Sequence, residues 1–343
     1  MLLLATNDGT FRWANGDGDR VTERTLNGGG GLTCPRVRSL RTACYAATER
    51  GLYRSTDGGA TWRNCEVPTE PVYSVAESPA GQGGADDAHL YAGTFPVHVY
   101  RREDAGGSWT ELEGIREVPS AATWSTPRHD DAAQVRALRT HPDAPDRLVA
   151  GIEAGGVHVS DDLGETWQDR ADGVHPDVHD LHLRGPDEFL AATGFGLYRT
   201  TDGGRTWARI DPAADTGLDL RETGGDPARL GVGGDTTPRR YFRAATSHER
   251  RLYAAAATGP TGTWVGERGA DAALYESEDD GETWTAVEYP GGPVEFVLTF
   301  ARDPEAGRLL AGTDRGRVLA REPDGWTELT RVPACIRSLA VVA

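Results

Sequence analysis

Lysine is missing from this 343-residue chain: all 36 basic residues are arginine, set against 53 acidic ones, for a formal net charge of -17. Such an acid excess repels phosphate backbones and anionic bilayers, so no general nucleic-acid or membrane-surface binding is expected. Long apolar runs are missing too. None approaches the roughly 20 residues that a membrane-spanning helix requires, so no membrane span is expected. Met1-Leu2-Leu3-Leu4-Ala5 leads straight into Asn7-Asp8-Gly9 without a basic leader region, which predicts no signal peptide and a cytoplasmic location. Cysteine is scarce. Cys34, Cys44, Cys65 and Cys335 form no C-x-x-C pair and are too few for a disulfide framework, so reduced thiols are the expectation, with Cys34 and Cys335 near enough in the repeat pattern to sit side by side.

What is abundant is glycine (44) and tryptophan (9), and both recur in register. Ser55-Thr56-Asp57-Gly58-Gly59-Ala60-Thr61-Trp62 returns as Ser160 to Trp167, as Thr200 to Trp207 and as Ser277 to Trp284. A fifth copy, Arg102 to Trp109, keeps Asp104, Gly106 and Trp109 but has no hydroxyl at its head. S/T-x-D-x-G-x-x-W is turn chemistry. The hydroxyl and carboxylate accept bonds from nearby backbone N–H groups, glycine supplies the positive φ, and tryptophan opens the next strand. The paired carboxylates of these turns are therefore read as structural rather than catalytic.

This pattern resembles the Asp-box, or BNR repeat, of sialidase-like propellers, over nearly the whole chain. The acid excess without lysine likewise resembles the proteins of salt-in halophiles. Around each turn runs the same frame: an apolar first strand, then a second ending in small residues (Leu90-Tyr91-Ala92-Gly93-Thr94; Leu309-Leu310-Ala311-Gly312-Thr313), a third entering the turn and a fourth leaving it. Second strands number seven when Leu2 to Thr6 and Cys44 to Thr48 are included. First strands also number seven, but the last, Ile336 to Val342, has no successor, while the N-terminal unit starts at its second strand. The two incomplete ends complement each other. Residues 1–343 are thus predicted to form one all-β domain, a seven-bladed propeller of four-stranded blades closed by the C-terminal strand, with inner strands near 36–41, 72–77, 134–140, 177–183, 241–246, 296–301 and 336–342. An open solenoid is the alternative topology. The first and last units lack a full turn motif: Asn15 to Asp19 is degenerate and Glu322 to Trp326 is shortened.

Ligand-face loops join the fourth strand to the next blade and the second strand to the third; the repeated turns lie on the other face. Three ligand-face loops are long: 113–133, 211–240 and 258–272, carrying Trp124, Arg128, His129, Asp130, Asp131, Asp235, Arg239, Arg240, Trp264, Glu267, Arg268 and Asp271. Long loops in a compact domain are functional or are acidic solvated insertions. Aligning inner strands as Val37-Arg38-Ser39-Leu40, Val72-Tyr73-Ser74-Val75, Val135-Arg136-Ala137-Leu138, Val178-His179-Asp180-Leu181, Phe242-Arg243-Ala244-Ala245, Val297-Leu298-Thr299-Phe300 and Ile336-Arg337-Ser338-Leu339 puts Arg38, Tyr73, Arg136, His179, Arg243, Leu298 and Arg337 in one ring. Planar guanidinium forks hold a carboxylate or phosphate by two parallel bonds. The alternative is that each arginine pairs with a neighbouring acid. Arg38, Tyr73, Arg136, His179, Arg243, Arg337, Glu153, His129 and Trp264 make up the candidate ligand-binding set, for an anionic small molecule, a glycan or an acidic protein segment, acting in a monomer. The stretch His175 to His182 is rich in metal-ligand types, but period-2 geometry splits His179 from His182 and Pro176 breaks a helix, so no metal and no cofactor is assigned.

The resemblance implies two functions. Sialidases use an arginine triad, yet this chain has only Phe11-Arg12-Trp13-Ala14 as an echo of their Phe/Tyr-Arg-Ile-Pro motif. Xyloglucanase-like glycosidases pair two seven-bladed propellers whose facing carboxylates flank the sugar. Glu49, Glu153, Asp130, Asp131, Glu267 and Asp314 reach the ligand face, but nothing selects the two that hydrolysis needs. No Ser-His-Asp order stands out, and Asn27-Gly28-Gly29-Gly30-Gly31 lacks the lysine of a phosphate loop. The chain is also similar to seven-bladed assembly factors related to the photosystem II stability factor, which carry arginine clusters and bind protein partners. That implies a non-enzymatic binding or scaffold protein, with glycoside hydrolysis as the alternative.

Overall fold

The computed structural model describes residues 1–13, 21–26, 32–41, 43–78, 88–102, 107–125, 131–212, 239–264 and 269–342. They form seven four-stranded antiparallel sheets. Blade 1 is built from Arg36–Ser39, Cys44–Thr48, Gly51–Ser55 and Arg63–Asn64. Blade 2 runs Val72–Glu77, Leu90–Thr94, Val99–Arg102 and Thr110–Glu111, and blade 3 Gln134–His141, Ala144–Glu153, Gly156–Ser160 and Gln168–Asp169. Blade 4 comprises Val178–Leu183, Phe189–Thr193, Gly196–Thr200 and Ala208–Arg209; blade 5, Tyr241–His248, Arg251–Ala257, Ala273–Ser277 and Thr285–Val287. Blade 6 has Val297–Asp303, Arg308–Thr313, Arg317–Glu322 and Gly325–Arg331. In blade 7 the last strand of the chain, Ile336–Val341, pairs with Leu2–Thr6, followed by Gly9–Trp13 and Val21–Leu26. Each inner strand packs beside the next, and blade 7 beside blade 1, so the ring closes through the two chain ends.

Alternation along each strand sends one face of every sheet against its neighbour. The core is accordingly seven separate apolar clusters, one per blade interface, such as Val135, Leu138, Ile152 and Tyr91 between blades 2 and 3 or Leu2, Leu4, Leu310 and Ile336 between blades 6 and 7. The small residues that end the second strands follow from this packing. A Cβ on Gly93 would lie 2.5 Å from Val135 Cγ1, one on Gly151 2.7 Å from Val178 Cγ1, and one on Gly312 2.7 Å from Ile336 Cγ2.

The repeated turns behave as their chemistry requires. Ser55 Oγ donates to Asp57 Oδ1 at 2.8 Å and accepts from the Gly59 N–H at 2.7 Å, while Asp57 accepts from the Thr61 N–H at 2.9 Å. Ser160, Thr200 and Ser277 repeat the arrangement with Asp162, Asp202 and Asp279. The shortened unit of blade 6 is a hairpin closed between Glu322 and Gly325, and the degenerate stretch 15–19 lies outside the described residues.

Candidate functional site: an arginine-lined axial channel

Six of the seven inner strands carry a β-bulge at their second position. Register jumps from Val72 to Ser74, Val135 to Ala137, Val178 to Asp180, Phe242 to Ala244 and Val297 to Thr299, and between Ser338 and Ile336. The residue left over in each, Tyr73, Arg136, His179, Arg243, Leu298 or Arg337, is unpaired and turned out of the ladder, which is what bulges do beside sites.

Blade 1 corrects the sequence alignment. The residue before the first position bonds back to the end of the second strand: Gly194 N–H to Asp177 O, Asp314 N–H to Phe296 O, and in blade 1 Glu49 N–H to Thr33 O. Arg36 lies opposite Ala47, as Asp180 lies opposite Ala192 and Ser74 opposite Gly93. Position one is therefore Cys34 and position two Pro35. Arg38 is not a member of the ring; it stands three residues further along the strand, opposite Tyr45, at the level where Arg139 faces Val149.

A cavity of about 20 Å³ sits on the axis, lined by Arg36, Tyr73, Arg136, His179, Arg243 and Arg337 among others. At its mouth Arg136 Nη1 is 3.1 Å from Glu153 Oε2 and its guanidinium lies 5.7 Å from the centre of the Tyr73 ring. Gln134 Nε2 donates to the same Glu153 oxygen at 2.6 Å. His179 Nδ1 donates to Phe242 O at 2.6 Å, its Nε2 stands 3.3 Å from Asp177 Oδ1, and its ring packs 4.7 Å from that of Tyr241. Arg243 donates to the Tyr241 hydroxyl at 3.2 Å. Arg337 has no ion pair or hydrogen bond among the described residues, and its buried Nε is without a partner. Burial raises the Glu153 and Asp177 carboxyls, but Arg136 outweighs it at Glu153 and His179 at Asp177, so both end below the usual range. Burial, with Arg243 and Arg136 close by, lowers Arg337.

Deeper in the channel three guanidiniums surround one carboxylate. Arg36 Nη1 lies 3.2 Å from Asp180 Oδ1 and its Nη2 donates to Arg136 O at 3.1 Å. Arg139 pairs with the same Asp180 oxygen and donates to Leu181 O at 2.8 Å. Arg38 faces this group without an ion pair, and burial, Arg139 and Arg36 press it well below its ordinary value. Burial likewise brings Arg36 to about 10. The channel thus gathers Arg36, Arg38, Arg136, Arg139, Arg243 and Arg337 against Asp177, Asp180 and Glu153. Arg36 and Arg139 escaped the sequence reading; a recount of hairpin lengths would have found Arg36.

Other candidates fall elsewhere. Trp264 packs on Phe296 with ring centres 5.3 Å apart and donates to Gly259 O, away from the axial cavity. His129, Arg128, Asp130, Asp235, Glu267 and Arg268 lie outside the described residues. The described part of the 113–133 loop is not merely a solvated insertion: Ile115 and Val118 are buried and the Trp124 ring packs at a tilt 4.8 Å from that of His158. Arg239 pairs with Asp271 at 2.6 Å. His182 bonds Ser247 while His179 bonds Phe242, and among the described residues no group of three metal-ligand side chains converges. All four cysteines are free thiols, and no helix among the described residues is long and apolar enough to cross a membrane.

No protein-family model matches the chain. It is 36% identical over 118 residues to a xyloglucanase of Hypocrea jecorina, spanning 33% of this chain and 14% of that protein. It is 33% identical over 144 residues to the photosystem II assembly lipoprotein Ycf48 of Prochlorococcus marinus, spanning 40% of this chain and 42% of that one. In structure it resembles the GH74 xyloglucanase of Xanthomonas campestris with a TM-score of 0.67 at 15% identity, covering 99% of this chain but 52% of that one. A Ycf48 structure bound to a D1 peptide gives a TM-score of 0.52 at 16% identity, covering 87% and 81%.

Proposed function

We propose that the chain is a non-enzymatic binding propeller whose axial arginines receive the carboxylate of an acidic partner segment. The observation that carries this is Arg337, half-buried and, among the described residues, without an ion pair or hydrogen bond, beside Arg243 and Arg136 on a common cavity. A cavity of about 20 Å³ is the size of one water. It admits a carboxylate tip and excludes a sugar ring. Support also comes from Ycf48, a relative of matching size that has been seen with a peptide bound. Each guanidinium offers a planar fork, and in a dewatered site such charge-assisted bonds are about twice as strong as neutral ones. Fluorescence anisotropy with a labelled acidic peptide tests the reading. A free C-terminal carboxylate should bind, its amide should bind at least about tenfold more weakly, and Arg337→Gln with Arg243→Gln should remove the difference. Equal binding of acid and amide by the wild-type protein would sink it.

Glycoside hydrolysis is the second reading, favoured by the similarity to xyloglucanases. A hydrolase needs one carboxyl kept protonated as general acid. Glu153 and Asp177 are both held below the usual carboxylate range, by Arg136 at the one and by His179 at the other. Asp314 is pushed up by burial, which makes it the general-acid candidate in this reading. The chain matches about half of the xyloglucanase structure, so a facing second propeller would supply the other carboxylate. Xyloglucan turnover by the isolated chain, lost in Asp314→Asn, would favour this reading over the first.

A further inference from the structure

We propose a second anion site, in the cleft between blades 1 and 2 on the face of the repeated turns, that takes a small oxyanion carrying two or more negative charges. The cleft has a volume of about 790 Å³ and is lined by Arg54, Arg63, Arg102, Asn64, Cys65 and Trp109, with Glu66 as the single acid among its described lining residues. It is independent of the axial channel and of the function proposed for it.

The first ground is Arg102. Four of the turns begin with a hydroxyl, Ser55, Ser160, Thr200 or Ser277, which accepts the N–H of the glycine four residues on. Blade 2 has Arg102 in that place. Its side chain is 5% exposed, its guanidinium lies 4.7 Å from the centre of the Trp109 ring, and its Nε and Nη2 have no hydrogen-bond partner. Buried donors left unmade carry a full desolvation cost. Two adjacent guanidinium N–H groups match the two oxygens of a carboxylate or phosphate.

The second ground is Arg54, which precedes Ser55 at the end of its strand. Its counterparts in other blades reach carboxylates of the following blade's turn: Arg101 meets Glu165 at 2.8 Å, and Arg199 meets Asp280 at 3.9 Å. Glu165 is the sixth residue of its turn and Asp280 the fourth. In the turn that follows Arg54, those two positions are Gly107 and Ala105. The carboxylate that would neutralise Arg54 has been lost from both places, and its buried Nε has no hydrogen-bond partner. Arg63 on the adjoining strand is exposed and adds a third cation. Among the described lining residues three guanidiniums stand against one carboxylate, a cationic cleft in a protein whose net charge is -17.

Isothermal titration of citrate and of pyrophosphate at constant ionic strength tests this. Measured in the Arg337→Gln, Arg243→Gln background, in which the axial cavity no longer competes for carboxylate, the expected result is saturable one-site binding, weakened about tenfold or more by Arg54→Gln and by Arg63→Gln. Arg63 is exposed, so its replacement leaves folding intact and the test holds even where Arg102→Gln fails to fold. Preference for citrate identifies a carboxylate ligand and preference for pyrophosphate a phosphate one. Absence of saturable binding to both, or binding that survives Arg54→Gln and Arg63→Gln unchanged, overturns the site.

Discussion

Arg36 and Asp180 occupy the same register position on blades 1 and 4, one opposite Ala47 and the other opposite Ala192, and their side chains meet across the axis at 3.2 Å. The pair joins non-adjacent blades through the channel, whereas every apolar cluster joins neighbours. Asp180 is also the carboxylate that offsets Arg38 and Arg139. Removing one partner of a buried cluster leaves uncompensated charge, at a cost of about 3–5 kcal/mol. Asp180→Asn should therefore destabilise the protein by that amount in urea unfolding. Arg36→Gln leaves Asp180 paired with Arg139 and should cost only roughly 1–2 kcal/mol. The reverse order would show that the three guanidiniums are solvated and do not depend on Asp180.

The blade count, the ring closure and the turns were legible in sequence because each rests on local chemistry repeated several times: the Ser-Asp-Gly turn, the small residues ending second strands, and two chain ends that complement one another. The ring was legible except at blade 1. Val37-Arg38-Ser39-Leu40 mimics Ile336-Arg337-Ser338-Leu339 residue for residue, and local similarity outweighed spacing. Under that alignment only Arg41 to Ala43 would connect Leu40 to Cys44, against the six residues from Thr246 to Arg251 between Ala245 and Leu252. The ion pairs across the axis were not legible at all, since they join strands with no sequence relation. The corrected register separates two arginines by role. Acidic-peptide binding should fall about tenfold in Arg337→Gln and stay within about threefold in Arg38→Gln, because contact at the mouth rather than distant charge sets affinity once salt screens it. Anisotropy titrations of the two variants decide between the alignments.

Gly151 provides a test of how the blades seat. Its Cβ would meet Val178 Cγ1 at 2.7 Å and Leu181 Cδ1 at 3.3 Å on the next blade's inner strand. Overpacking of this kind costs about 1–3 kcal/mol. Gly151→Ala should lower stability by that range in urea unfolding, with unfolding still cooperative. Ala192, at the matching position of blade 4, already carries the methyl group, so Ala192→Gly should give no comparable gain. A neutral Gly151→Ala would mean that the interface between blades 3 and 4 has slack.

Two windows of pH dependence follow from groups held away from their ordinary values. His182 Nε2 accepts the Ser247 N–H at 3.2 Å, which requires an unprotonated nitrogen, and burial with Arg302 nearby lowers it to about 4. Burial also lowers His175 to about 4, against the opposing charge of Asp177. Both histidines bind a proton in the unfolded chain near pH 6.5 but in the folded one only near 4, so unfolding takes up protons between these values. Stability is full above pH 6.5 and falls as the pH drops toward 4, by at most about 3 kcal/mol for each histidine. The turn carboxylates act lower. Backbone and side-chain bonds from Thr206 hold Asp202 at about 2, and the Thr283 side chain and N–H do the same for Asp279. Their folded values lie below the unfolded 3.8, so their contribution is present above 3.8 and lost as the pH falls toward 2. Denaturant unfolding from pH 7 to 2 should show both declines. His182→Asn should reduce the upper decline by about half, the remainder belonging to His175, and leave the lower unchanged. Stability that stays level between pH 6.5 and 4 would show that the two histidines are hydrated in the folded protein.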